Sequence, residues 1–362
     1  MIITSARAGW LTRTGVAAAL AAGLTAGTAT PAATSAQAAF RPAPGHTART
    51  ATPGRGNAAA TGPHGRKDAS FAYYPPQEEL VLFGGNNTST VLGDTWIRRG
   101  TSWLEQHPSQ SPSARTGAAV VFDAATSQLM LFGGSSQPGS GGGFNNETWI
   151  WTGHTWRQLH PVTSPAARAN AGLVYDPDMQ QVLLFGGYDG SYLNDTWTWN
   201  GSNWVQVHPA TSPSPRDGAA LVLNSASLAD VLLYGGFSAS TGRLADIWSW
   251  DGTTWTRLFP AASPGRVSIA WQTADDTSQN QVLLFGGEPN HGPIRDGTWT
   301  WTGTTWAPLT PASSPPGRAG GSMTYDTLSR QVVLFGGVTN RAETHYPATM
   351  WKWNGSTWSN AH

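Results

Sequence analysis

Cysteine is absent from all 362 residues, which rules out disulfides, thiolate metal ligands and thiol nucleophiles together. Lysine occurs only at Lys67 and Lys352, and charged residues make up 12% of the chain and cancel to zero net charge. So sparse and even a charge leaves no electrostatic footprint for nucleic acid or an acidic membrane surface. The sequence also lacks a phosphate-cradling glycine loop, a serine-nucleophile elbow and a metal-spaced His/Glu pair. No cofactor is expected.

Long apolar runs are missing as well. The nearest approach is alanine-rich, from Val16 to Ala26, too short and too weakly apolar to span a bilayer. Arg7 and Arg13 precede it, and small residues lead from it to Ala36-Gln37-Ala38. This is the layout of a secretory signal peptide over residues 1–38, cleaved near Ala38. The two arginines are not adjacent, which favours ordinary secretion over the twin-arginine route. Residues 39–64 are rich in Ala, Pro, Gly and Thr without hydrophobic periodicity and read as a flexible spacer. The mature chain is therefore expected outside the cell or in its envelope, with no membrane span.

What the chain has in excess is glycine (43), proline (25) and tryptophan (19), a mixture that suggests many short strands and tight turns. Three markers then repeat in one register. Gly-Gly closes an apolar run six times, its second glycine at Gly85, Gly134, Gly187, Gly236, Gly287 and Gly337. Tryptophans recur seven residues apart as Trp96/Trp103, Trp149/Trp156, Trp197/Trp204, Trp248/Trp255, Trp299/Trp306 and Trp351/Trp358. An arginine opens each unit: Arg66, Arg115, Arg168, Arg216, Arg266 and Arg318. A period near 50 residues signals a repeat architecture.

Each unit reads as four strands, A to D. In the third, these are Gly172–Tyr175, Gln181–Phe185 ending at Gly-Gly, Thr196–Trp199, and a strand around Trp204 reached through a tight Asn200-Gly201 turn. The double glycine after an apolar strand, the aromatic on strand C and the tryptophan on strand D resemble the kelch repeat family. The turn between C and D is shorter here than in most kelch repeats, a variant similar to one in secreted bacterial proteins. The resemblance implies an all-β, six-bladed β-propeller over residues 65–362, with four antiparallel strands per blade and strand A innermost. Trp-x-Trp places two indoles on one strand face, and a sheet so faced must stack on a neighbour to hide them. The first repeat has its own strand A and the last its own strand D, so six complete blades are expected, closed without strand exchange.

In such a ring the arginines and the loops after Gly-Gly crowd one mouth of the central channel, while the opposite mouth, with short turns, reads as structural. Variable loops on a rigid scaffold are where binding usually lives. The arginines could bind an anion, or each could pair with the acid before its own strand C (Asp94, Glu147, Asp195, Asp246). The acid is missing at Thr349 and displaced to Asp296, which leaves Arg318 and Arg266 as the candidate free cations. The last two loops hold dense polar chemistry: Glu288, His291, Arg295 and Asp296, then Arg341, Glu343, His345 and Tyr346. Tyr188, Asp189, Tyr192 and Phe237 add groups able to stack on a sugar or peptide. His107, His160 and His208 each precede proline, but equivalent positions on successive blades diverge and cannot share one ion.

Kelch propellers include enzymes. The copper-radical oxidases similar to galactose oxidase need a tyrosine–cysteine cross-link, which this chain cannot form. Sialic-acid mutarotases of the same fold need only acid–base groups and arginine, a role open to Glu288, His291, Arg295 and Glu343. The expectation is a monomeric, non-catalytic module binding an extracellular protein or glycan through the loop-bearing mouth. A metal-free sugar isomerase is the alternative.

Overall fold

The computed structural model describes residues 62–361, apart from Ser89, Ser140, 226–229 and 269–271. The expected signal peptide and nearly all of the spacer lie outside the described residues. Six four-stranded antiparallel sheets follow one another along the chain. Blade 1 is Ser70–Tyr74, Glu79–Phe83, Thr95–Arg99 and Ser102–Gln106. Blade 3 is Gly172–Asp176, Gln181–Tyr188, Tyr192–Trp199 and Trp204–Val207, and blade 6 is Ser322–Asp326, Gln331–Phe335, Met350–Trp353 and Trp358–Asn360. Strand A of each blade touches strand A of both neighbours, and that of blade 6 touches that of blade 1. The chain is thus a closed six-bladed β-propeller in which each sheet draws its four strands from one contiguous segment. Among the described residues no helix is long and apolar enough to cross a membrane.

The Gly-Gly pairs make the ring close. Gly84 and Gly85 have φ of 64° and 88°, a region that favours glycine. In every blade but the fifth the carbonyl of the first glycine accepts from its own repeat's arginine, as in Arg66 Nη1 to Gly84 O at 3.0 Å. The N–H of the second donates to the arginine carbonyl of the next repeat, as in Gly85 to Arg115 and, across the closure, Gly337 to Arg66 at 2.8 Å. A Cβ on Gly84 would stand 2.5 Å from that Arg115 carbonyl. The double glycine is thus a backbone rivet between blades.

Indoles fill the space between sheets. Trp151, Trp156, Trp204, Trp250, Trp255, Trp301, Trp306, Trp353 and Trp358 are fully buried. The strand-D indole reaches back to the preceding blade, where a threonine opening strand C accepts its Nε1–H. Trp156 to Thr95, Trp204 to Thr148, Trp255 to Thr196 and Trp358 to Thr298 all measure 3.0–3.1 Å. Blade 4 carries Ile247 at this position, and the Trp306 indole N–H is buried without a partner among the described residues. The C–D turn differs from the expected short hairpin. Trp199 pairs with Trp204 across a four-residue loop, and only its glycine is left-handed, with Gly201 at φ 94°. Asn200 instead caps the loop through Oδ1, accepting from the N–H groups of Ser202 and Asn203. The two indoles meet across this loop, centroids 5.5 Å apart and planes tilted by 55°.

Candidate functional site

In five blades the second residue after the repeat arginine rims the channel, as Asp68, Gly117, Asn170, Gly218 and Gly320; in blade 5 Ser268 pairs with Glu288 one place earlier, as Asp217 does with Phe237. Those five adopt a left-handed φ between 54° and 67°, which suits Gly, Asn and Asp. Their backbones link hand to hand around the axis. Asp68 N donates to Gly320 O, Gly117 N to Asp68 O, Asn170 N to Gly117 O and Gly218 N to Asn170 O, at 2.8–3.0 Å.

Above this rim lies a polar cavity of about 150 Å³, lined by Lys67, Asp68, Asn170, Asp217, Ser268, Glu288 and Glu343 among others. Beneath it the channel narrows to a void of about 80 Å³ between Phe71, Val120, Leu173, Leu221, Thr273 and Met323. The side chains beneath the cavity are therefore mostly apolar. The opposite mouth is an apolar funnel of about 310 Å³, with Phe122, Tyr175, Leu223 and Tyr325 in its wall.

Within the cavity Lys67 Nζ lies 2.6 Å from Glu343 Oε1 and 3.8 Å from Asp68 Oδ2. Burial works against the Lys67 charge, but these two carboxylates outweigh it and raise its pKa. Burial raises the Asp68 carboxyl, with Lys67 offsetting part of the effect. Asp217 is pushed up to about 6, chiefly by burial and further by the Asp68 charge, although Asn170 Nδ2 donates to its Oδ2 at 3.2 Å. Two carboxyls raised by burial, Asp68 and Asp217, thus share a cavity with a cation.

The predicted loop residues meet this cavity unequally. Glu288 lines it, paired with Arg243 Nη2 at 2.5 Å and with Arg341 at 3.6 Å. Arg341 also ties the blade 5 loop, donating to the carbonyls of Gly292 and Pro289. Glu343 lines the cavity too, whereas His345 turns to its own loop, Nδ1 2.5 Å from Thr339 Oγ1. Tyr346 packs on Ile294, Ala319 and Val338. His291, Arg295 and Asp296 are exposed outside the cavity lining.

Tyr188 belongs to a longer aromatic ridge. Ring centroids run Phe144–Tyr188 at 5.7 Å, Tyr188–Tyr192 at 5.0 Å and Tyr192–Phe237 at 5.6 Å, with the Arg243 guanidinium 5.8 Å over Phe237. Asp189 is exposed, its Oδ1 capping the Ser191 N–H. Arg243 joins the ridge to Glu288 and so to the cavity. Sequence reasoning missed Phe144, Arg243, Lys67, Asp68, Asn170, Asp217 and Ser268. For the last five a signal was available: the positions one and two beyond each repeat arginine change from blade to blade while the arginine does not.

No protein-family model matches the chain. A stretch of 121 residues is 28% identical to the tRNA wybutosine-synthesizing protein 4 of Emericella nidulans, covering 30% of this chain and 11% of that protein. The chain spans about a tenth of the length of that relative.

The repeat arginines take the structural course where an acid is present. Arg66–Asp94, Arg168–Asp195 and Arg216–Asp246 are bidentate with contacts of 2.5–2.8 Å, and Arg115–Glu147 closes at 2.5 Å. Each carboxylate also accepts the indole N–H two residues on, from Trp96, Trp149, Trp197 and Trp248. Burial alone would raise these acids, but the arginines hold all four below their usual range. Among the described residues Arg318 has no carboxylate partner, yet it is fully buried, donating to Gly336 O and Pro316 O. Burial lowers its pKa to about 10.

Arg266 is exposed, with Nη1 on the Arg243 carbonyl at 3.1 Å. The cause is a one-residue deletion. Two residues separate Ser-Pro from the arginine in Ser111–Arg115, Ser164–Arg168, Ser212–Arg216 and Ser314–Arg318, but only Gly265 does so before Arg266. Val267 takes the vacated place: its carbonyl accepts from Gly236 N and its N–H donates to Leu244 O, the bonds an arginine backbone makes elsewhere.

Proposed function

We propose that this propeller is an exported kelch-type module that binds a saccharide at its loop-bearing mouth. The observation that carries the reading is the continuity between an aromatic ridge and a small polar cavity. Half-exposed rings of Phe144, Tyr188, Tyr192 and Phe237 offer flat apolar faces for the C–H surface of a sugar ring. Beside them, Asn170, Asp217, Ser268, Glu288 and Lys67 present donors and acceptors that match hydroxyl groups. At about 150 Å³ the cavity is below the usual range for a whole drug-sized ligand, roughly 300–1,000 Å³. It suits one terminal unit of a longer chain laid along the ridge.

A glycan array probed with the exported protein tests this. Tyr188→Ala and Asp217→Asn should each abolish or sharply weaken a positive signal, and Asp217→Asn should do so without a lowered melting temperature. An array without specific signal, or one unchanged by both substitutions, would overturn the reading. Recovery of the secreted protein with its N-terminus at Ala39 checks the export half, and retention of residues 1–38 would refute it.

A second reading, a sugar isomerase, is favoured by the two raised carboxyls. Asp217 near 6 is placed to exchange protons at neutral pH. Exchange between anomers of the captured sugar, followed by NMR, should then be accelerated by wild type and not by Asp217→Asn.

A further inference from the structure

Departures from the repeat pattern gather at one blade junction. The linker before Arg266 is a residue short, Val267 fills the arginine's place, Gly297 fills the acid's, Ile247 replaces the strand-C threonine and Tyr234 replaces the phenylalanine before Gly-Gly. Val267, Gly297 and Ile247 each give up a side-chain bond that other blades make, and Tyr234 adds a hydroxyl that they lack. Locally broken rules of this kind collect at functional or strained sites.

Their joint result is a cleft. In blades 2 and 3 the linker serine clasps the B–C loop, Ser164 Oγ donating to Asn146 O and Ser212 Oγ to Asn194 O at 3.1 Å. The equivalent Ser263 is instead held by the Tyr234 hydroxyl, 3.0 Å away. Linker and loop part there, leaving a cavity of about 460 Å³ between Thr241, Leu244, Ala245, Ile247, Leu258, Phe259, Ser263 and Arg266.

We infer that this blade 4/5 cleft binds an apolar carboxylate, a ligand with an aromatic or branched body beside a carboxylate group. Two arginines at its edge meet no carboxylate among the described residues: Arg266, swung outward by the deletion, and Arg257, whose guanidinium lies 5.1 Å over the Phe259 ring. Arginine's planar fork suits bidentate carboxylate recognition. Leu244, Ile247, Leu258 and Pro260 supply an apolar wall, and Phe259 stands 81% exposed as a platform. The Asp246 carboxylate, at the inner end, is already held by Arg216 and Trp248, so it leaves the two outer cations to an incoming anion. The volume lies inside the usual ligand range of about 300–1,000 Å³. This site is separate from the channel mouth and does not rest on saccharide binding there.

Saturation-transfer NMR and calorimetry with N-acetyl-phenylalanine and its amide test the proposal. The acid should bind saturably and the amide should lose about tenfold or more in affinity, the scale of one charge-assisted bond. Arg266→Gln should cost the acid a similar factor. Inserting alanine between Gly265 and Arg266 restores the spacing of the other linkers and should close the cleft to the acid. Equal affinity for acid and amide, no binding of either, or an unaltered affinity in Arg266→Gln would overturn the assignment. Should the insertion variant fail to melt cooperatively, Arg266→Gln alone decides.

Discussion

At the scale of single residues, the repeat exposes its own defects. Blade 6 places Thr349 where blades 1 to 4 place Asp or Glu, with its carbonyl accepting from Gly336 N as the Asp94 carbonyl does from Gly84 N. Among the described residues two groups lose by it: Arg318 is buried without a counter-charge, and the Trp351 indole N–H is buried without an acceptor. Thr349→Asp supplies both partners in the arrangement seen in blades 1, 3 and 4. We expect it to stabilise the protein by about 1–3 kcal/mol, from charge-assisted bonds to groups already desolvated. Thermal melts check this, and Thr349→Val should give no such gain. The pairing of arginine with acid was legible in the sequence because both members belong to the same repeat. The lining of the cavity was not. Lys67, Asp68, Asn170, Asp217 and Ser268 lie on four different blades, and only ring closure brings them to one axis. The deletion before Arg266 stood in plain view as Ser263-Pro264-Gly265, but its consequence, Val267 in the arginine's place, depends on which backbone the neighbouring Gly-Gly seeks.

At the scale of the blade, most of the fold was readable. Tryptophan spacing, double glycines and alternating strands are all local signals, and the four strands of each sheet are consecutive. What joins one blade to the next was less so, because the indole-to-threonine bonds couple positions about sixty residues apart through a geometry that no single repeat displays. These bonds give the interface its direction. Thr148→Val keeps the shape of the side chain and removes the acceptor for Trp204 Nε1, leaving a buried donor in the state that Trp306 already occupies opposite Ile247. The expected cost is about 1–3 kcal/mol, read as a lower denaturant midpoint with an unchanged slope. Thr148→Ser, which retains the hydroxyl, should recover the indole bond and lose only the methyl contact. If valine and serine variants prove equally stable, the hydrogen bond contributes nothing and indole packing alone holds the blades.

For the whole molecule, two sets of carboxyls pull stability in opposite directions along the pH axis. Asp94, Glu147, Asp195 and Asp246 are held below their ordinary values by the repeat arginines. Their contribution is complete above the unfolded values, about 4, and is lost as pH falls through the depressed folded values. Asp217 and Asp275 behave in the reverse sense, each pushed up to about 6 mainly by burial. Between about pH 4 and 6 the folded protein retains protons on these two that the unfolded chain releases, so stability falls as pH rises through that window. Taken together, the ring should be most stable in the mildly acidic range, between the acid loss of the arginine pairs and the neutral cost of the buried acids. Asp217 opens to the loop-bearing cavity, whereas Asp275 lies in the wall of the opposite funnel with Ser225 Oγ donating to it at 2.6 Å. Because they sit at opposite mouths, their effects should add. Asp217→Asn should flatten the slope between pH 4 and 6 and raise stability at pH 7, and the double variant with Asp275→Asn should flatten it further. Urea titrations at half-unit pH steps measure this directly. A wild-type profile that rises from pH 4 to 7, or one that Asp217→Asn leaves unchanged, would mean that the channel mouth does not hold its carboxyl in the protonated form.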